Sequence, residues 1–327
     1  MISSTRTADA VLVELGYPAL FLVSGRVSIA DLYPSRTKRC GIYVLEHLDG
    51  MHYIGQAVDV VRRYGQHRKV SADIVRFSFF PLAQRSLDDE ERRCIQGAES
   101  RGLRLRNRML VKQVLVEADL DDVLDPTEQQ AWLESPSRFG SENRLPLDPD
   151  HLQRLRFRCQ FERFKSDPAF EQVVALLRTY IQTCIPVARR TELSFWSVSC
   201  LPTTNRAHHP RWAAVSIGEM EMFVIGWLPT EREPWGFVNV SQEALGTRLT
   251  DRLERDGVTC ERQRGYRAAG GDDQTLSTGA NTFTAMSRSL TNPDVARAAR
   301  RLSLEVMRKR PNWYAKYHCF DLADCLL

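Results

Sequence analysis

Hydrophobic and polar positions fall into their clearest order just after residue 40. Gly41 to Leu48 and Met51 to Gln56 are short, apolar-rich runs on either side of Leu48-Asp49-Gly50, and together they predict a β-hairpin. Asp59 is placed to cap a helix running to about Lys69. Asp73 to Pro81, rich in Ile, Val and Phe, predicts a third strand. Ser86 to Ser100 predicts a second helix, with Asp89 three residues after Ser86 in a capping-box-like arrangement and Gly102 past its end. The order is β-β-α-β-α. Upstream, Thr7 caps a weak helix that Gly16 stops, and Asp31 to Arg39 is a basic, proline-containing connector.

The second half has a different rhythm. Leu152 to Cys184 is helical in pattern. Ser194 to Leu201, Trp212 to Ile217, Met220 to Leu228 and Trp235 to Val240 are β-like. A helix follows near Ser241 to Asp256, and another starts at Pro293 and stops at Arg310, before Pro311. Between Glu117 and Glu134 stand seven acidic residues and no basic one, and Pro126, Pro136, Pro146 and Pro149 punctuate the region. That shift predicts a boundary, with a short helix around Glu128 to Leu133. The expected organisation is therefore residues 1–115, an acidic connector over 116–150, and 151–327. Both domains are expected to be α/β in the broad α+β sense.

Composition narrows the class without fixing function. The chain has 327 residues, 43% hydrophobic and 26% charged, and a net charge of +4, which excludes wholesale disorder and only mildly favours a polyanionic partner. No stretch reaches a membrane-spanning length of apolar residues. Ala10 to Val23 is interrupted by Glu14, Gly16 and Pro18, so a cytoplasmic protein away from membranes is expected. The eight cysteines form no C-x-x-C pair and match no zinc module, and they read as buried thiols.

Within the hairpin stand Gly41-Ile42-Tyr43 and Tyr53-Ile54-Gly55, with nine residues between the tyrosines. Arg63 lies ten positions after the second tyrosine and His67 four further on. Glu91 precedes Ile95 on the following helix, and Asn107 comes sixteen residues after Glu91. This constellation over residues 40–110 resembles the GIY-YIG nuclease superfamily. The resemblance implies a small three-stranded antiparallel sheet with flanking helices and a metal-dependent endonuclease. The implied site residues are Tyr43, Tyr53, Arg63, His67, Glu91 and Asn107, with Glu91 on the metal (Mg²⁺ or Mn²⁺) and Tyr43 as the base.

The residue types suit that chemistry on their own. Arg63 and His67, at i and i+4, share one helical face. An arginine fork grips phosphate oxygens, a carboxylate holds a hard cation, and phosphodiester cleavage needs positive charge where the transition state gathers negative charge. Ionising a tyrosine at neutral pH costs about 4 kcal/mol, so Arg63 and the metal are the expected compensation, with His67 and Tyr53 sharing or relaying the proton.

The interval between the tripeptides is shorter than the family's usual one, and it sets a test of register. With a two-residue Asp49-Gly50 turn, Leu48 pairs with Met51 and the tyrosines land on opposite faces of the sheet. With a three-residue loop, His47 pairs with Met51. Tyr43 and Tyr53 then share one face, and Ile42, Val44 and Ile54 share the other. The three-residue loop is predicted, with Gly50 left-handed.

Competing readings stand beside these. Arg62 reads as solvated helix charge, Glu90 competes with Glu91, and Asn107 could be a turn residue. His208-His209 and Gly270 to Asp273 read as polar loops. Trp196, Trp212, Trp227, Trp235 and Trp313 read mostly as core or strand-surface residues, although some could stack on extruded bases. Arg189, Arg190 and the basic residues of 297–310 read as a solvated face before a phosphate track. The expected function is a DNA endonuclease of bacterial restriction or phage-defence type, with RNA a less favoured substrate. The second domain is expected to supply target choice, regulation or oligomerisation, and a homodimer, a partner protein or a guide are open partners. A repair or homing endonuclease and a catalytically silent nucleic-acid-binding or assembly protein are the alternatives.

Overall fold

The computed structural model describes residues 7–136, 151–204, 206–245, 247–255, 257–262 and 274–327. The chain divides into two compact units, Met1–Val116 and Glu117–Leu327. In the first unit the elements run α1 (Ala8–Glu14), β1 (Phe21–Leu22), β2 (Gly41–His47), β3 (His52–Ala57), α2 (Val60–Val70), β4 (Ile74–Pro81) and α3 (Leu87–Ser100). The sheet is antiparallel, with strand order β1-β4-β2-β3. It has four strands where three were expected. Gly16, at φ +99°, stops α1, and the extended chain beyond it pairs Phe21 with Phe77 along the outer edge of β4.

The hairpin has the three-residue loop. The amide of His47 donates to Met51 O (2.9 Å), Gly50 N–H donates to His47 O (2.9 Å), and Gly50 sits at φ +74°. In this register Val44 pairs with Ile54 and Tyr43 with Gly55. Side chains alternate along a strand. Ile42, Val44 and Ile54 therefore enter the core with Leu87, Cys94, Ile95 and Ala98 of α3. Tyr43, Leu45 and Tyr53 face the other way, with Val60 and Tyr64 of α2 and with Phe77 and Phe79. The two helices thus cover opposite faces of one sheet.

Helix caps follow the sequence in part. Thr7 caps α1, and the Asp59 carboxylate accepts from Val61 N and Arg62 N to start α2. The capping box expected at Ser86 does not form. A 3₁₀ turn, Gln84–Ser86, leads directly into α3, and Ser86 makes no side-chain cap.

The second unit contains α4 (Pro126–Glu134), α5 (His151–Leu155), α6 (Arg158–Lys165), α7 (Phe170–Cys184), α8 (Ala188–Thr191), β5 (Trp196–Cys200), β6 (Arg211–Ile217), β7 (Met220–Trp227) and β8 (Pro234–Ser241). It continues with α9 (Gln242–Leu245), α10 (Thr247–Arg255), β9 (Thr259–Arg262), β10 (Thr275–Ala280), α11 (Phe283–Thr291), α12 (Pro293–Lys309) and α13 (Phe320–Leu326). Its sheet is antiparallel, in the order β5-β6-β7-β8-β10-β9. Helix α12 is its central support, with Ala298, Leu302 and Val306 fully buried.

Two expectations change here. The helical pattern over 152–184 is three helices. Phe157 separates the first pair, and Asp167-Pro168 breaks the second because proline supplies no helical N–H. The acidic segment is not an open connector where it is described. Asp125 and Glu128 form a capping box on α4, Trp132 is buried, and Asp121 is ion-paired with Arg308 at 2.5 Å. Residues 137–150, and the Gly270 to Asp273 loop, lie outside the described residues. Among the described residues no helix is long and apolar enough to cross a membrane.

Because Gly50 occupies the left-handed region, a β-branched side chain there strains the loop that sets the tyrosine register. Gly50→Val is expected to lower unfolding free energy by about 1–2 kcal/mol in urea titration, and Gly50→Asn by clearly less.

Candidate active site

The site grows from the exposed side of β3, an edge strand whose outward backbone groups need partners that no fifth strand among the described residues provides. Three alternate residues are met in three different ways. His52 N–H donates to Arg104 O (2.9 Å), and His52 O accepts from Arg106 N–H (2.7 Å). Ile54 N–H donates to the Asn107 side-chain oxygen (3.0 Å), and Ile54 O accepts from Asn107 Nδ2 (2.7 Å). At Gln56 the pairing passes to α3. The Gln56 side-chain amide donates to Glu91 Oε2 (3.0 Å) and Asp88 Oδ1 (2.8 Å), and the Gln56 backbone also hydrogen-bonds Glu91.

Asn107 therefore does not join the reactive cluster expected of it. It is 5% exposed, and both ends of its amide are committed to Ile54. Its role is to extend the sheet edge up to the residue before Gly55.

On the other face, four of the expected residues meet. Tyr43 is buried, and its hydroxyl stands 2.7 Å from His67 Nε2. Arg63 Nε donates to the same hydroxyl oxygen at 3.2 Å, and its Nη1 reaches Gln66 at 3.1 Å. The Tyr53 ring lies 4.9 Å from His67 and 6.2 Å from Tyr43, centroid to centroid. Room for this comes from Gly55. A Cβ at that position would stand 2.5 Å from the Tyr43 hydroxyl.

Electrostatics fix the protons. Burial first, then the neighbouring Arg63 charge, push His67 down to about 4, so it is neutral near pH 7. Burial and Tyr53 raise Tyr43 well above an ordinary phenol, against the lowering pull of Arg63. The consistent assignment has Tyr43 donating its proton to His67 Nε2 while its oxygen accepts from Arg63. A phenol held this way is polarised but un-ionised.

Glu91 approaches from the α3 side around the β3 edge. Its carboxylate is electrostatically coupled to both Arg63 and Tyr43. Burial raises its pKa, more than the Gln56 hydrogen bonds lower it. Glu90 takes no part, being ion-paired to Arg93 at 2.6 Å. Among the described residues no three His, Cys, Asp or Glu side chains gather for a cation. The donor set at Glu91 suits a different kind of site, because Mg²⁺ keeps several waters and binds through one or two carboxylates.

The remaining candidates separate cleanly. Arg62 is exposed and, with Arg68 and Lys69, lines a groove of about 600 Å³ along α2. Arg189, Arg297 and Arg301 are ion-paired with Glu192, Asp294 and Glu305, which leaves them poor phosphate trackers. His209 packs edge-on against Trp235, and Trp196 and Trp212 are core residues. Sequence reading missed Gln56 and the service of Gly55 to Tyr43. The available signal was their place beside Ile54 on the edge strand. Comparison with known protein families, curated proteins and solved structures finds no match to this chain.

The His67 ring, followed by NMR, is expected to titrate near 4 and not near 6.5. Its folded pKa is depressed, so protonation costs stability as pH falls below 6.5 towards 4. Gly55→Ala displaces the Tyr43 ring and moves that titration back upward. Asn107→Ala strands the Ile54 N–H and C=O, and urea unfolding should show a loss of about 1–3 kcal/mol for each group that water does not reach.

Proposed function

We propose that the chain is a metal-dependent endonuclease of the GIY-YIG type that hydrolyses phosphodiester bonds in DNA, as a bacterial restriction or phage-defence enzyme does. The observation that carries the reading is the pair of hydrogen bonds converging on the Tyr43 hydroxyl, from Arg63 and to His67, with Glu91 coupled to both Arg63 and Tyr43 across the β3 edge.

In this reading Arg63 binds a phosphate oxygen with the part of its fork not spent on Tyr43 and Gln66. Tyr43 orients the attacking water. Because its own proton already points at His67, it takes the water proton as it passes that proton on. A resting phenolate is not required, which suits the raised pKa of the buried phenol. The neutral His67 is the acceptor, and an arriving phosphodiester anion raises its basicity by offsetting the Arg63 charge. Tyr53 packs against the imidazole and shields the relay from bulk water. Glu91, steadied by Gln56, would hold a Mg²⁺ or Mn²⁺ ion, which supplies positive charge for the phosphate and the leaving oxygen when bound. The basic groove along α2 gives the strand a track, and phosphate contacts of that kind carry no sequence information. Target choice then falls to the second unit.

Plasmid nicking tests this directly. Wild type with Mg²⁺ is expected to nick DNA, and chelator to abolish nicking. Glu91→Ala and Arg63→Ala should each lower the rate by about 10²–10³-fold or more. Burial favours the protonated form of metal-free Glu91, and Mg²⁺ competes with that proton, so the acid limb of the rate profile should move to lower pH as Mg²⁺ is raised. Tight DNA binding without cutting in any divalent metal would favour a silent binding module instead.

A further inference from the structure

Two adjoining pockets open on the second unit, and neither has a part in the chemistry above. The first, about 300 Å³, brings Arg163, Arg206, Arg211 and Arg232 together around Trp227, with Asp167 as its one acidic group. Arg232 is ion-paired to Asp167 (2.7 Å) and stands 5.7 Å over the Trp227 ring. Arg211 pairs with Glu221. Arg163 and Arg206 are exposed and have no carboxylate partner among the described residues. Arg232 and Arg211 already have carboxylate partners, so Arg163 and Arg206 carry the positive charge that an anion entering the concavity would meet. Their planar forks match phosphate oxygens.

The second pocket, about 310 Å³, shares Leu201 and Pro202 with the first. Its walls include Tyr314 and Tyr317, whose ring centroids lie 6.3 Å apart at 37°. Its floor is a cross-strand row. Ser197 of β5 pairs with Ser216 of β6, which pairs with Glu221 of β7. Both serines are buried as residues, at 3% and 6% exposure, and both line the pocket, where their hydroxyls can meet a polar group. The Arg211–Glu221 ion pair joins the two pockets, since Arg211 lines one and Glu221 the other. Leu201, on the ridge between them, is held at φ +43°. That is an uncommon conformation for a branched residue, and such strain gathers at binding sites.

We infer that these pockets together form a nucleotide site, with phosphate in the arginine pocket and the base in the tyrosine pocket. Aromatic walls accept the π-face of any base. The Glu221 carboxylate accepts from a base amino or imino N–H, and Ser197 and Ser216 complete the contact with the base edge. One sugar separates phosphate from base in a nucleotide, and one shared ridge separates the two pockets. The same chemistry is presented by a nucleotide extruded from DNA and by a free mononucleotide. The DNA source rests on the endonuclease reading, and the nucleotide site itself does not.

The test uses the full chain carrying Glu91→Gln, so that no probe is cut. The probes are a fluorescein-labelled single-stranded oligonucleotide, the same backbone made abasic, and dAMP. Arg163→Ala combined with Arg206→Ala removes exposed groups without partners, and thermal unfolding confirms the fold. This double variant is expected to weaken binding of both oligonucleotides and of dAMP by ~tenfold or more, and to lower the oligonucleotide salt slope by about one to two. Tyr317→Ala should weaken the base-bearing probes at least ~fivefold and leave the abasic backbone unchanged. If dAMP binds through these residues as tightly as the oligonucleotide, the source is a free nucleotide. If only the oligonucleotide does, the source is a strand. Wild-type affinity for all probes in both variants overturns the site, even in a chain that cuts plasmid. Loss of binding in both variants, in a chain that never cuts, upholds the site and overturns the endonuclease reading alone.

Discussion

An edge strand must dispose of its outward hydrogen-bonding groups, and the way β3 does so governs the first unit. At His52 the chain itself lies alongside. At Ile54 an asparagine side chain substitutes for a strand. At Gln56 a glutamate from the opposite helix takes over. The last substitution has a consequence beyond stability. Helices α2 and α3 cover opposite faces, and groups on them can meet only around an open edge. Covering β3 completely would separate Glu91 from Arg63 and Tyr43. Leaving it bare would expose a pairing template. The structure stops between the two, directly beside Gly55, where the missing side chain admits the Tyr43 hydroxyl.

The same placement sets the electrostatics. Burial works against every charged form in the cluster: it raises Tyr43 and Glu91 and lowers His67. Arg63 carries the cluster's positive charge. Burial is the larger cause of the low His67 pKa and the Arg63 charge the next, and in the proposed reading an incoming phosphodiester would offset only the second. In the proposed relay the two partners of Tyr43 divide the work: His67 would accept its proton, and Arg63 would stabilise the charge that remains.

Much of this was legible in the chain. The Leu48-Asp49-Gly50 loop followed from one requirement, that Tyr43 and Tyr53 share a face, and Gly50 supplied the left-handed residue it needs. The caps at Thr7 and Asp59 were local and readable for that reason. Ser86 failed as a cap because a 3₁₀ turn occupies the helix entrance. Strand β1 was hidden because two extended residues have no periodicity. The role of Asn107 was misjudged because a spacing reports proximity in the chain and not the direction of a side chain. Gln56 went unnoticed because an exposed-edge glutamine has no pattern to mark it. In the second unit the arginines at 163, 206, 211 and 232 come together only through the folding of α6 and the β5–β8 strands, and no window of sequence contains them.

The arrangement at the β3 edge can be tested without assuming turnover. Mn²⁺ is added in small steps to labelled protein, and paramagnetic broadening of the Tyr43 and His67 ring protons is followed by NMR. Selective broadening of both rings in wild type, lost in Glu91→Gln, is the expected result. Rings that stay sharp, or that broaden equally when Glu91 is replaced, would show that the carboxylate does not bring a cation to the tyrosine cluster.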